Sequence, residues 1–557
     1  MSVHKIMDDP SHVIVDACRA AARAASDLRY VENPGYFTRR SPADDGRVAL
    51  MSGGGSGHEP LHSGFVGAGM LDAAVPGLVF TSPNALQIEA ATRAVHAGAG
   101  VLHVVKNYTG DVINFSIAAG LCSEDGIAVE TVLVADDVAS DAEDGPGRRG
   151  TAATVAVEKV CGAAAARGDD LAEVARIGRA VADGARSMAV AFRPCTVPGS
   201  LSPSFELGED EVELGVGIHG ERGTARVATM TATEIADALL GRIAESLGLG
   251  RDDEIILIVN GLGGTHALEL DIVFGAALEY LAAHGIVVRR TLVGSFVTAF
   301  DMAGVSLTAV RCDDAVIELW DAPTEAPAWP NAPTRGIADD AVDDTAGDAD
   351  AALPDADASA DPLVTAWVRT FVERVLSSVD ELTDLDRRAG DGDFGVNMQA
   401  GLSGLEVDDN DAPAAVFEKL ARGFLGNAGG TSGALFGVLF HRIAMAFEGA
   451  DATVETVASG VGEGLSAITE LGGASVGDKT MVDALSPASA ALSESDSGDL
   501  AAALAEAADA ASSGAESTKD VAAQRGRASY IGDAARGVVD PGALVIGWFF
   551  AAANREG

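Results

Sequence analysis

Three aspartates, Asp386, Asp391 and Asp393, fall within eight residues of one another in the run LDRRAGDGDFGVNM, spaced by glycines. Carboxylates are hard oxygen donors, and such a cluster suits Mg2+ ions that also take phosphate oxygens. A calcium loop of the helix-loop-helix type fails on spacing: the twelfth position from Asp391 is Leu402, where a bidentate glutamate is needed. The plain alternative is a solvated acidic turn.

Two histidines stand among glycines. His58 follows SGGGSG, and His219 lies in GVGIHG directly before Glu221. A neutral imidazole nitrogen adds to carbonyls, which selects ketones and aldehydes over alcohols. Lys106 and Asp111 of KNYTGD follow the apolar run VLHVV. A cation and a carboxylate at the carboxyl end of a strand can hold and polarise a small polyol or hydroxyketone, although a surface turn with an ion pair has the same letters.

Two other patterns lead elsewhere. HEPLH, residues 58–62, matches the HExxH zinc pattern by letter. Pro60 clashes inside the helix that this pattern requires, so a helix beginning at Pro60 would leave His58 in the loop before it, and zinc is not expected. The glycines of 52–57 could cradle a polar ligand after a strand, but no Gly-Lys-Ser/Thr follows and no usable GxGxxG frame exists. GNAGGTSG (426–433) precedes an apolar helix whose N-terminus could receive phosphate. GGASVGDKTM (472–481) and GRASYIGDAARGVVDPG (526–542) read as further walls of that site.

These residues need scaffolds to position them. Apolar, β-branched runs at 47–51, 101–106, 128–135, 188–192 and 254–260 read as buried strands alternating with Ala-rich amphipathic helices such as 151–167. The pattern predicts an α/β part over 1–330, in two α/β subdomains of about 1–195 and 196–330 that break near CTVPGSLSPS. Residues 331–361 are an acidic Asp/Ala-rich tract that cannot build a core and reads as a linker. Residues 362–557 read as helix after helix (363–379, 414–424, 432–447, 454–470, 500–523), an all-α bundle. The apolar run 544–553 has about half the length needed to cross a bilayer and is expected to be a buried helix.

The chain has 557 residues and a net charge of −45, which argues against nucleic acid and anionic membranes as partners. Abundant aspartate and scarce lysine suit a high-salt cytoplasm, or a high-GC mesophile with an acidic surface. Cys18, Cys122, Cys161, Cys195 and Cys312 form no CxxC pair. Their scatter, and acidic residues where a signal peptide would be apolar, lead us to expect a cytoplasmic protein.

Taken in order, SGGGSGHEP, VKNYTGDVINF, GRRGTAATV, GIHGE and NGLGGT, then GDGDFGVNM, GGTSGALFG, GDKTMVDAL, GRASYIG and DPGA, closely resemble the dihydroxyacetone kinase family in its single-chain, ATP-using form. The resemblance covers nearly the whole chain. It implies a ketone-binding half and a helical nucleotide-binding half in a homodimer, with ATP as co-substrate and two Mg2+ ions. It implies that His219 forms a hemiaminal with the substrate carbonyl and that His58 and Asp111 bind hydroxyls and assist proton transfer. Lys106 would add a polar contact, and Gly54, Gly55, Ser56 and Gly57 would supply backbone contacts. Asp386, Asp391 and Asp393 would hold the metals. Phe394, Gly395, Val396, Asn397, Thr431, Ser432, Gly472, Met481, Arg527, Asp540, Pro541 and Gly542 would surround the nucleotide.

This chain departs from the family pattern at three places. Phe394 stands where many members have histidine, His266 where proline is usual, and Ser295 where asparagine is usual. They make a four-carbon ketose such as erythrulose, or glyceraldehyde, the alternative to dihydroxyacetone. An FMN cyclase side activity and a non-catalytic ketone sensor are further readings of the same resemblance. The sensor is disfavoured by the intact acidic triad and His219. A family form that takes phosphate from a phosphotransfer protein usually has its halves on separate chains, so the fusion favours free ATP.

Overall fold

The computed structural model describes residues 5–41, 46–141, 147–200, 202–330, 337, 359–389, 392–525 and 535–554. The chain divides into two compact units, Met1–Val342 and Asp343–Gly557. The acidic tract expected as a linker lies almost wholly outside the described residues.

The first unit holds two six-stranded sheets. One contains β1 (Leu28–Val31), β2 (Tyr36–Arg39), β3 (Ala49–Ser56), β4 (Ala73–Val79), β5 (Val101–Lys106) and β6 (Val129–Val134), in the order β1-β2-β4-β3-β5-β6. From β4 to β6 neighbours are parallel, while β1 and β2 form an antiparallel edge. The other contains β7 (Ala185–Arg193), β8 (Glu211–Leu214), β9 (Ala225–Ala228), β10 (Glu254–Gly261), β11 (Val287–Gly294) and β12 (Ala303–Arg311), in the order β11-β10-β12-β7-β8-β9. Only β10 and β11 are parallel there.

Successive strand residues point to opposite faces, and here both faces are covered, which is why these strands read as unbroken apolar runs. Ala49, Met51, Val101 and Val105 pack on one side with Ile88, Ala91, Phe115 and Ala118. Leu50, Leu102 and Val104 pack on the other, in a core that also takes Ile256, Ile258 and Val310 from the second sheet. Helix Ala153–Arg167 belongs to that shared core and is buried on every side from Ala153 to Ala165, Glu158 and Lys159 included. A helix buried all round has no amphipathic stripe, and its two interior charges must find partners within the protein.

Two sequence expectations change here. Strand β3 does not end at Met51; it runs through the glycines to Ser56, buried throughout. These glycines are strand positions at which neighbours approach closely: a Cβ at Gly53 would lie 2.6 Å from the Val75 carbonyl oxygen, and one at Gly54 2.3 Å from the Lys106 ammonium nitrogen. Strand β7, expected to close the first subdomain near residue 195, instead pairs with β12 and β8 in the second sheet. The passage between sheets therefore falls before Ala185.

The second unit is helical, as expected. Its described helices include Pro362–Leu376, Val379–Ala389, Phe394–Leu402, Pro413–Asn427, Gly430–Ala446, Val454–Gly472, Val482–Glu494, Leu500–Ser517 and Pro541–Ala551. Helix 500–523 stops early, at Ser517, and gives way to a 3-10 turn. Trp367, Phe371, Phe417, Phe424, Phe436, Phe440 and Phe549 form its centre, each ring contributing about 1.5–3 kcal/mol by burial. The apolar run 544–553 lies mostly in helix Pro541–Ala551, where Val545, Ile546, Gly547, Phe549 and Phe550 are buried. Among the described residues no helix is long and apolar enough to cross a membrane.

Candidate active site

In the first unit the functional side chains gather beyond the carboxyl ends of strands. His219 lies on the loop after β8, with Glu221 accepting its backbone N–H at 2.9 Å and facing its ring Nδ1 at 3.2 Å. Burial pushes the Glu221 carboxyl up, but the hydrogen bond and charge of His219, then Arg149, outweigh it and bring it to about 2. An ionised carboxylate only accepts, so Nδ1 carries a proton, and whenever the ring is neutral the lone pair is on Nε2. The ring is caged by His58, Tyr108 and Phe80, at centroid distances of 4.7, 4.5 and 5.4 Å.

His58 directs Nδ1 to the Thr298 carbonyl oxygen at 2.7 Å, which again leaves Nε2 as an acceptor. That Nε2 is buried without a hydrogen-bond partner, and so are the Tyr108 hydroxyl and Asp111 Oδ1. Buried polar atoms are normally satisfied, so orphans on His58 and Tyr108, whose rings both pack against His219, point to a small polar ligand. Burial, followed by the charges of His219 and Lys106, holds the His58 imidazole well below its ordinary value and hence neutral. Lys106 is fully buried; its ammonium meets His62 Nε2 at 2.7 Å and lies 3.9 Å from Asp111 Oδ2.

The two histidines of HEPLH thus turn to different partners. His62 Nδ1 faces Glu158 at 2.6 Å and Ser52 Oγ at 2.9 Å. No helix starts at Pro60; the chain makes turns there and a short 3-10 helix at Ser63–Phe65. Burial pushes the Glu158 carboxyl up to about 8, against the opposing influence of Ser52 and Lys106. A carboxyl raised on folding stabilises the fold fully below its ordinary value near 4.5 and loses that contribution as pH climbs through about 8. Melting curves should therefore show Glu158→Gln gaining on the parent as pH rises from about 5.5 to 8.5, by a few kcal/mol at most. A gap that does not change with pH would contradict this.

In the second unit a cavity of about 460 Å3 is lined by Asp386, Asp393, Phe394, Asn397, Thr431, Ser432, Gly472, Met481, Asp540, Pro541 and Gly542, together with Lys479 and Arg525. Its size is that of a small-molecule site. Asp386 Oδ2 accepts the backbone N–H groups of Gly392 and Phe394 at 2.9 and 3.1 Å, closing the turn into helix Phe394–Leu402. Thr431 and Ser432 lie in the first turn of helix Gly430–Ala446, and Asp540 caps helix Pro541–Ala551 through the Ala543 N–H at 2.8 Å. The N-terminus of helix Gly430–Ala446, which has no side-chain cap, therefore borders the cavity with N–H groups available to a phosphate, whereas that of Pro541–Ala551 is already closed by Asp540. Burial, with the charges of Asp483 and Asp386 adding to it, raises the Asp540 carboxyl to about 7 although the Ala543 N–H and Lys479 oppose it. Carboxylates crowded so that they repel one another suit a bound cation.

Residues 19–328 match the model of the Dak1 domain, and residues 388–555 that of the DAK2 domain. The chain belongs to the dihydroxyacetone kinase family. It is 40% identical to a triokinase/FMN cyclase of Bos taurus over 90% of this chain and 89% of that protein. It is 37% identical to an L-erythrulose 1-kinase of Mycolicibacterium smegmatis over 97% of each chain. The crystal structure of the dihydroxyacetone kinase of C. freundii in complex with AMP-PNP and Mg2+ superposes with a TM-score of 0.64 at 31% identity, covering 99% of both chains.

Within this kinase-family chain the expected residues are placed unevenly. His219 meets His58, and Lys106 meets Asp111 and Gly54. Ser56 spends its hydroxyl on the Gly77 carbonyl oxygen, and Gly55 is backed by Phe80 and Thr81. Gly395 packs against Val379 and Thr383 rather than lining the cavity, and Val396 is exposed away from it. Asp391 and Arg527 lie outside the described residues. Sequence reasoning missed Tyr108, Phe80 and Thr298, and it missed Glu221 as the partner of His219. Of these only Glu221, two residues after His219, had a local signal. Lys479 and Arg525 were also missed. Lys479 sat inside a segment already marked as a wall, whereas nothing local singled out Arg525.

Proposed function

We propose that this chain transfers the γ-phosphoryl group of ATP to a terminal hydroxyl of dihydroxyacetone, giving dihydroxyacetone phosphate and ADP. The reading rests on unpartnered buried atoms of His58 and Tyr108, whose rings pack against His219, and of Asp111, beside Lys106. The His219 Nε2 lone pair adds to the ketone carbon; a C–N bond forms, the C=O π pair moves to the oxygen, which takes a proton from water, and the Nδ1 proton leaves to solvent past Glu221, so that the hemiaminal is neutral. His58 and Asp111 bind the substrate hydroxyls, and one of them accepts the proton of the attacking hydroxyl. Asp386, Asp391 and Asp393 would hold two Mg2+ ions, whose chemistry is to neutralise charge on the phosphates. Phe394, Asn397, Thr431, Ser432, Gly472, Met481 and Asp540 to Gly542 would line the nucleotide. The same reading takes the chain as a cytoplasmic homodimer without nucleic-acid or membrane partners.

The second reading is a kinase for a four-carbon ketose, favoured by full-length similarity to an erythrulose kinase. An ADP-release assay across dihydroxyacetone, D- and L-erythrulose, glyceraldehyde and glycerol separates the two. The carbonyl compounds should be phosphorylated and glycerol should not, and the ranking between dihydroxyacetone and erythrulose decides the substrate. Glycerol turned over as well as dihydroxyacetone would defeat the carbonyl-capture reading.

A further inference from the structure

The second histidine of HEPLH has no part in the chemistry so far, yet it stands at the centre of a buried polar chain. Ser52, His62, Lys106, Asp111 and Glu158 are all nearly or completely buried, and the links between them are short: Glu158 to His62, 2.6 Å; Ser52 to His62, 2.9 Å; His62 to Lys106, 2.7 Å; Lys106 to Asp111, 3.9 Å. The elements involved are far apart in sequence: β3, the turn after it, the end of β5, the first turn of helix Thr109–Glu124, and helix Ala153–Arg167 between the sheets.

The hydrogen-bond inventory fixes the direction of this chain. An ammonium only donates, so the His62 Nε2 that meets Lys106 must be a lone pair, and the ring proton sits on Nδ1. Ser52 Oγ gives its own proton to the Val104 carbonyl oxygen at 2.7 Å, so it too accepts from Nδ1–H, alongside Glu158. His62 is therefore a neutral imidazole held in one tautomer from behind, with its acceptor aimed at Lys106. The fold alone gives no reason to retain these groups: buried ionisable residues are often replaceable by apolar ones at no loss of stability. The chain also ends at Asp111, whose Oδ1 has no partner and is one of the groups assigned to the substrate.

We propose that His62, oriented by Glu158 and Ser52, is a positioning residue that fixes the Lys106 ammonium against Gly54 and beside Asp111, and so sets Asp111 for the ketose hydroxyl. Gly54 fits this role, since a Cβ there would collide with the ammonium at 2.3 Å. The inference rests on the proposed ketose kinase activity. The ammonium is faced by His62, Asp111, Glu158 and, at longer range, His58. Burial holds the ammonium below its ordinary value, the charges of Asp111 and Glu158 oppose this, and the neutral acceptor on His62 also favours the charged form.

The test uses the full chain: kcat and KM for the ketose and for ATP, from about pH 6 to pH 10, in the parent, His62→Leu, His62→Gln, Glu158→Gln and His219→Ala. His62→Leu should lose about 10- to 100-fold in kcat/KM for the ketose, as removal of an orienting partner does elsewhere, with KM for ATP unchanged. Without its acceptor the ammonium deprotonates more readily, so the alkaline limb should move to lower pH by about one unit. His62→Gln, which can return an acceptor to Lys106, should recover most of both effects. Should His62→Leu fail to fold, Glu158→Gln still tests the proposal through a smaller loss in ketose kcat/KM. If His62→Leu, or in its place Glu158→Gln, is folded and matches the parent in ketose kcat/KM and pH profile while His219→Ala is impaired, the positioning role is overturned and the kinase reading stands. If the parent phosphorylates no ketose, both are overturned.

Discussion

Replacing His219 by alanine is expected to lower kcat/KM for dihydroxyacetone by about 10^3-fold or more, because it removes the group that captures the carbonyl and the orientation that capture provides. The surroundings of the ring support a loss of this size. Glu221 accepts a hydrogen bond from Nδ1–H, and His58, Tyr108 and Phe80 close in on the ring, so no other described side chain in the cage offers a nucleophilic nitrogen with comparable freedom. His58 is no substitute, because its Nδ1 is engaged by Thr298 and its basicity is suppressed by burial. Glu221→Gln should be milder, since an amide oxygen can still accept from Nδ1–H, and its loss should be about 10- to 100-fold. A second readout is independent of turnover. With dihydroxyacetone labelled at the carbonyl carbon, excess parent protein should deplete the ketone resonance and produce a tetrahedral one, and His219→Ala should leave the spectrum of free ketone. An alanine variant that keeps its rate within about tenfold of the parent would place carbonyl capture elsewhere.

The glycine run 52–57 shows where sequence reading succeeds and where it stops. That a strand precedes His58, and that Lys106 ends another, follows from apolar patterning alone, because strands covered on both faces leave continuous hydrophobic runs. That the glycines themselves are strand does not follow. Glycine has low strand preference, and what holds it there is the approach of Val75 from β4 and of the Lys106 ammonium, both distant in sequence. The same limit hid Thr298 and Tyr108, whose roles come from a carbonyl 240 positions away from His58 and from a ring edge against His219. The passage between subdomains was misread near residue 195 for a related reason. The Pro/Ser-rich segment there looks like a boundary, but sheet membership is decided by pairing, and β7 finds β12 and β8.

In the helical unit the amphipathic pattern and the glycine-rich loops were legible, and the cavity gathers most of the residues expected around a nucleotide. Lys479 was not legible. Within GGASVGDKTM nothing singles it out, yet its Nζ donates to the Thr518 and Val538 carbonyl oxygens at 2.6 Å each, and its backbone is held at φ 62. It buckles three loops into one wall of the cavity, a role that depends entirely on where those loops arrive. A non-glycine residue in that region is a strained choice, which a tertiary constraint of this kind sustains.

Asp386→Asn is expected to leave the helical unit folded while reducing phosphoryl transfer by on the order of 10^3-fold at ordinary Mg2+. The two consequences separate because Asp386 has two tasks. Its Oδ2 closes the turn by accepting from Gly392 and Phe394, and an asparagine oxygen can accept the same N–H groups, so melting should change little. Its charge contributes to the carboxylate set lining the cavity with Asp393 and Asp540, and asparagine removes that. Asp386→Ala should lose the charge and the turn together, with an added stability cost of about 1–3 kcal/mol for the N–H groups left behind. The measurements are thermal melting, ketose-dependent ADP release, and binding of a non-hydrolysable ATP analogue with and without Mg2+. For Asp386→Asn the Mg2+ requirement should rise, and the analogue should gain less affinity from Mg2+ than it does in the parent. A variant retaining parental turnover at saturating ketose and an unchanged Mg2+ requirement would remove Asp386 from the metal-holding set and leave it as the closure of a turn.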